Sequence, residues 1–133
     1  MNIVTALTVN NAEQAIDFYK DVFNAEVLGE IVYLDTTPGF EDEKYEGLIV
    51  HSAIKFGNTT LFINDQIEEF YQKEGRTIQL CVFLESMEEL KERFGKLQVD
   101  GEVEREIEEE HWGATSGSIK DKFDIVWHLY YNK

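Results

Sequence analysis

A single cysteine, a single proline and only 12 lysines and arginines stand in the 133 residues of this chain. Each scarcity excludes something. One thiol cannot close a disulfide within the chain, so a cross-linked secreted scaffold is ruled out. Cys81 lies in the apolar run of residues 78–84, which predicts a buried, inert thiol without a base partner. The lone proline, Pro38, falls beside Gly39 in the polar stretch 35–47, the longest expected loop. Against 27 acids the few bases leave a net charge of −15, which disfavours nucleic acid or an anionic membrane as a partner. No apolar run approaches the roughly 20 residues of a membrane span, and the first residues show no basic region followed by an apolar one. A cytoplasmic protein without a membrane partner is expected. Glycine-rich phosphate loops, paired catalytic carboxylates and an activated nucleophile are also missing.

What is present suffices for a core. Hydrophobic residues make up 43% of the chain and aromatics 13%, too rich for disorder despite the charge. The length fits one domain, residues 1–133. Ile3 to Val9 reads as a buried strand that ends at Asn10-Asn11. Asn11 with Gln14 gives a capping-box pattern, and Ala15, Ile16, Tyr19, Val22 and Phe23 form the apolar stripe of the helix that follows. Asn24 suits a left-handed cap. Strands are expected over Glu26 to Leu34, bent at Gly29, then over Leu48 to Phe56 and Thr59 to Ile63 around Gly57-Asn58. Asp65 to Gly75 reads as a loop or a short helical turn.

The second half echoes the first. Thr77 to Leu84 is a strand, and Ser86 with Glu89 caps a helix whose stripe is Met87, Leu90, Phe94 and Leu97. A shift of 75 residues lays Asn11 on Ser86, Tyr19 on Phe94 and Leu7 on Val82. Glu102 to Glu110 alternates Val103, Arg105 and Ile107 with glutamates, the pattern of a half-wet edge strand. The last segment reads as a hairpin that turns at Lys120-Asp121-Lys122, with Trp112 and Trp127 towards its two ends. Such a hairpin serves either as core or as the wall of a pocket. The order strand, helix, strand, strand, strand thus occurs twice. It predicts an α+β fold of two βαβββ modules, about residues 1–65 and 76–133, forming a curled mixed sheet.

Three motifs carry a resemblance. The helix segment Asn11-Ala12-Glu13-Gln14-Ala15-Ile16-Asp17-Phe18-Tyr19 with Val22-Phe23 is the first. His51 followed by Ile54, Phe56 and Gly57 is the second, and Trp112-Gly113, Gly117, Asp121-Lys122-Phe123 and Trp127 in the final hairpin are the third. Together they resemble the vicinal oxygen chelate superfamily of glyoxalase, bleomycin-resistance and dioxygenase proteins, within it the PhnB-like branch. Asp124 departs from the pattern, which has glycine there; Asp tolerates a positive φ better than most residues.

The resemblance implies modules curled into half-open cups, and in metal-dependent members four ligands on the first and last strands of the modules. Those positions fall here on Val4, Phe62, Gln79 and His128. Only two of them can coordinate and none is a carboxylate, so no bound metal and no other cofactor is expected. The implied function is small-molecule binding. His51, Phe62, Gln79, Trp112, Phe123, His128 and Tyr130 are the candidate ligand-binding residues, the ligand is unnamed, and no catalytic residue is assigned. The alternative is a metal-dependent lyase or dioxygenase of the glyoxalase type with a non-standard ligand set, so enzymatic activity stays open. His51 reads as a hydrogen-bonded pocket or core group, or more sharply as a general base. A homodimer is expected from the resemblance and from the need to cover bare sheet edges.

Overall fold

The computed structural model describes residues 4–67, 80–109 and 114–133. The chain divides into two compact units, residues 1–72 and 73–133. In the first, β1 (Thr5–Val9) leads into α1 (Ala12–Phe23), and β2 (Glu26–Tyr33), β3 (Ile49–Phe56) and β4 (Thr59–Asp65) follow. In the second, β5 (Leu80–Leu84), α2 (Met87–Gln98), β6 (Glu102–Glu109), β7 (Thr115–Lys120) and β8 (Val126–Tyr131) repeat that order. Each unit forms a four-stranded mixed sheet, β1-β4-β3-β2 and β5-β8-β7-β6, in which the first strand pairs parallel to the last. The two βαβββ modules are therefore present, and the 75-residue shift lays the whole of α1 on the whole of α2.

Both helices begin where their caps direct. The Asn11 side chain accepts from the Gln14 N–H at 3.1 Å, and Ser86 Oγ accepts from the Glu89 N–H at 3.0 Å. The Glu89 carboxylate in turn accepts from the Glu85 N–H at 3.1 Å and from Arg93 Nε at 2.9 Å. These bonds, the Glu85 N–H first, hold the Glu89 carboxyl below its ordinary pKa. Its contribution to stability is therefore present above the unfolded-state pKa and is lost as pH falls through the depressed value. Asn24 adopts the left-handed conformation at the end of α1, φ 56°, as its identity suggests.

One face of each sheet is covered by its helix. Ala12, Ala15, Ile16, Tyr19, Val22 and Phe23 of α1 are all buried, as are Leu7, Val9, Ile54, Leu61 and Ile63 of the strands. Phe23 stacks on Phe56 at 4.6 Å. In the second unit Leu90, Phe94 and Leu97 are buried together with Ile119, Trp127 and Leu129. Gly117 is required by that packing, because a Cβ there would lie 2.6 Å from the Phe94 ring and 3.1 Å from Ile107. Gly29 bends β2 with φ 65°, where the β2–β3 register shifts.

Two buried carboxylates fix the parts that the hydrophobic pattern leaves loose. Asp65 accepts from the Ala12 N–H at 2.8 Å and the Ile49 N–H at 2.6 Å, so one side chain ties the end of β4 to the starts of α1 and β3. The sequence reading placed Asp65 at the start of a loop or short helical turn, whereas it closes a strand. Asp121 accepts from the Phe123 and Ile125 N–H groups at 2.8 and 3.1 Å through one oxygen, and from Trp127 Nε1 at 2.8 Å through the other. The turn between β7 and β8 is thus built around its carboxylate. Asp124 follows at φ 66°, the left-handed value that glycine supplies in the resembling pattern.

Trp127 is 1% exposed, so Trp127→Ala should cost about 3–5 kcal/mol, as other buried aromatic truncations do. Asp121→Asn replaces one acceptor oxygen by a donor facing donors and should cost roughly 1–3 kcal/mol. Thermal or denaturant melts of the two variants measure both costs; an unchanged midpoint in either would show that the turn does not depend on this contact.

Candidate functional site

The faces turned away from the helices carry the candidate site residues. In the second unit the register aligns them in two rows that cross all four strands. Cys81, His128, Ser118 and Arg105 form one row, each paired with the next, from β5 through β8 and β7 to β6. Phe83, Tyr130, Ser116 and Glu108 form the other. Register partners in a sheet point to the same side, and alternate residues of a strand share a face. Both rows therefore lie on the face opposite Gly117, Ile119, Trp127 and Leu129.

The β5–β8 half of this face is aromatic and open. Phe83 is 66% exposed and stacks on Tyr130 at 5.2 Å and 18°, while His128 lies nearly parallel to Tyr130 at 6.5 Å. Rings in this relation bury one face on each other and leave the outer one to a further flat group. The β6–β7 half is polar and closed. Ser116 and Ser118 are buried; Arg105 donates to Ser116 Oγ at 2.6 Å and pairs with Glu108 at 3.1 Å. Between the halves, Ser118 Oγ is bonded to His128 Nδ1 at 2.7 Å, which fixes the imidazole's orientation.

The first unit has the same register with different chemistry. Ala6, Phe62, Ala53 and Leu28 form a row equivalent to that of Cys81, so Phe62 occupies the position that His128 holds in the second unit. The His51 ring meets Phe62 edge-on at 4.9 Å, and Thr8 Oγ1 lies 3.3 Å from Asn64 Oδ1.

The expected site residues are thus grouped in part. His51 and Phe62 meet in one unit; His128 and Tyr130 share a face in the other. Phe123 sits apart in the β7–β8 turn, 6% exposed, with its N–H held by Asp121 and the Lys122 ammonium over its ring. Gln79 and Trp112 lie outside the described residues. Sequence reading passed over Phe83, Arg105, Ser116 and Ser118. The period-two alternation of β5 puts Cys81 with Phe83 on one face, a signal that went unused; in β6 it groups Arg105 with Val103 and Ile107, and only the register shifts on either side of Arg105 pair it with Ser118. The expected burial of Cys81 is corrected: Leu80–Leu84 is an outer strand of its sheet, and the thiol is exposed.

Among the described residues the donor set is too thin for a divalent ion. Of the described positions that the fold family gives to ligands, Val4 and Phe62 have no donor atom, which leaves the His128 imidazole. No group of three or more His, Cys, Asp or Glu among the described residues is arranged to hold a metal.

A βαβββ repeat with its open faces lined by paired strand rows defines the class of protein. Residues 3–129 match the model of the Glyoxalase/Bleomycin resistance protein/Dioxygenase superfamily, and the chain belongs to that family. Among solved structures it is similar to protein PA1353 from Pseudomonas aeruginosa, with a TM-score of 0.86, 19% identity, and 99% of this chain and 98% of that one covered. A PhnB protein from Bacillus cereus superposes with a TM-score of 0.81 at 24% identity over 98% and 99% of the two chains. The fosfomycin resistance protein FosX of Listeria monocytogenes, solved with Mn(II) and sulfate, gives 0.68 at 14% identity over 100% and 93%. At these identities the structural likeness speaks for the fold alone. No helix among the described residues is long and apolar enough to cross a membrane.

After dialysis the purified protein should carry no stoichiometric zinc, nickel, iron or manganese. Elemental analysis that finds an equimolar amount of one of them would overturn the expectation of a protein without a bound metal.

Proposed function

We propose that this chain is a small-molecule-binding protein that works without a bound catalytic metal, and that its ligand is a flat conjugated molecule. The supporting observation is the ring ladder Phe83–Tyr130–His128, with Phe83 66% exposed at its end. A planar ligand extends such a ladder at little entropic cost, because the rings are already parallel. Beside it, the partly exposed Arg105–Glu108 pair supplies a locally neutral ion pair that can fix a ligand's polar edge. The net charge of −15 favours a neutral or cationic ligand over an anionic one. His51 with Phe62 provides a second, less aromatic surface in the first unit. Fold alone does not decide between binding and catalysis; the donor-poor ligand positions weigh against metal-assisted chemistry.

The test is a calorimetric titration with a panel of flat heteroaromatic compounds, repeated on variants. Phe83→Ala should weaken a binding member by about 0.5–1.5 kcal/mol, roughly two- to thirteenfold in Kd. His128→Ala should alter affinity and leave the melting temperature close to wild type. Equal affinity in wild type and Phe83→Ala would remove the ladder from the site.

We also infer a homodimer in solution, because β2 and β6 each leave a sheet edge to be covered within their own sheets. Light scattering at micromolar protein should give twice the chain mass; the monomer mass would refute it.

A further inference from the structure

Cys81 stands in a register row with polar side chains. Cys81 pairs with His128 across the parallel strands β5 and β8, and His128 pairs with Ser118 across β8 and β7. Neighbouring strands lie about 4.8 Å apart, so three side chains of one register row stand next to one another on the same face. The middle one is oriented: Ser118 Oγ, on the β7 side, holds His128 Nδ1 at 2.7 Å. The two ring nitrogens of an imidazole diverge, so a ring whose Nδ1 turns towards β7 presents Nε2 away from β7, on the side of β5 and Cys81. A nucleophile, a base and a group that orients the base thus follow one another across three strands. Ser118 is 2% exposed whereas Cys81 is exposed, so the orienting end is sheltered and the nucleophilic end is open to a reactant. Two residues along the same strands, the stacked pair Phe83–Tyr130 gives a flat reactant a surface to lie on.

We propose that Cys81 is a nucleophilic thiol activated by His128, and that it adds to flat, conjugated α,β-unsaturated carbonyl compounds held on the Phe83–Tyr130 rings. The choice of electrophile rests on the stacking site proposed above. In the tautomer that donates Nδ1–H to Ser118 Oγ, Nε2 is the basic nitrogen and takes the thiol proton. The sulfur then forms a bond to the β-carbon of the acceptor, and the π pair of the carbon–carbon double bond moves into the enolate. The imidazolium returns the same proton to the α-carbon, leaving a thioether. Nothing is oxidised or reduced and no group leaves, so thiol and acceptor suffice. A soft acceptor suits a thiolate nucleophile, and a thiol needs such a base to react well at neutral pH. Arg105 and Glu108 are engaged with each other at the far side of the face. The imidazole is the side chain that pairs with Cys81 in its row.

The experiment uses the full chain and benzylideneacetone, a flat aryl enone, and follows intact mass and loss of the enone absorbance. Wild type should gain one probe molecule, mapped to Cys81, and Cys81→Ser should gain none. His128→Ala and His128→Gln should react at least about tenfold more slowly, in the range of a lost general base. Glutamine retains a side chain able to bond Ser118, so it controls for packing. Added imidazole should restore part of the rate to His128→Ala and none to Cys81→Ser, which a purely structural histidine would not allow. Wild-type rates in both histidine variants, or an adduct on another residue, would overturn the inference. The saturated analogue benzylacetone separates the two readings. If it binds wild type while Cys81 stays unmodified by the enone, the thiol assignment fails and the stacking site stands. If it does not bind while iodoacetamide alkylates Cys81 in a His128-dependent way, the stacking site fails and the activated thiol stands.

Discussion

The Asp121 carboxylate, 1% exposed, accepts three hydrogen bonds within seven residues of chain: two from the backbone of its own turn and one from the indole of Trp127. A buried carboxylate is tolerated only when its lone pairs are occupied, and here the occupants also set geometry. The turn bonds fix how β7 leads into β8. The indole bond fixes which side of β8 faces α2. Because side chains alternate along a strand, placing Trp127 inward places His128 and Tyr130 outward, and a slip by one residue would exchange them. Everything on the open face of the second unit therefore depends on this contact.

The two units share that architecture and differ in what they display. Pairing registers superpose Ala6 on Cys81 and Phe62 on His128, so the same backbone position carries a methyl in one unit and a thiol in the other, a phenyl in one and an imidazole in the other. The helix-covered faces stay alike, apolar and closely packed, because interior density leaves few alternatives there. Open faces pay no such packing penalty and are free to diverge. On these faces the described residues of this chain bring no cluster of metal donors together.

Burial in the second sheet also grades its chemistry. Ser116 and Ser118 at the β7 end are buried and hydrogen-bonded, whereas Phe83 and Cys81 at the β5 end meet solvent. Rings thus stand at the open end, with hydrogen-bonded polar groups behind them. Arg105 donates to the buried Ser116 hydroxyl, a partner that an apolar residue could not supply.

Local patterns were enough for the elements themselves. Asn11 and Ser86 bond as caps within their own turns, the helix stripes follow a spacing of three and four, and Asn24 needed only its own backbone, so each was legible in the sequence. The 75-residue echo made the repeat legible too, and Val4 and Phe62 could be seen as poor metal ligands from the residues alone. Tertiary structure decided what depends on pairing between distant segments. Asp65 became an anchor only when Ala12 and Ile49 came within reach of it. Cys81 read as buried because an apolar run fixes hydrophobicity and not position; its strand is an outer one, and that is set by sheet order. The adjacency of Cys81, His128, Ser118 and Arg105 comes from four strands whose register no single segment encodes. Hydrogen bonds between strands bring such residues together, so the sequence by itself determined which faces could be wet, and the sheet decided which residues meet there.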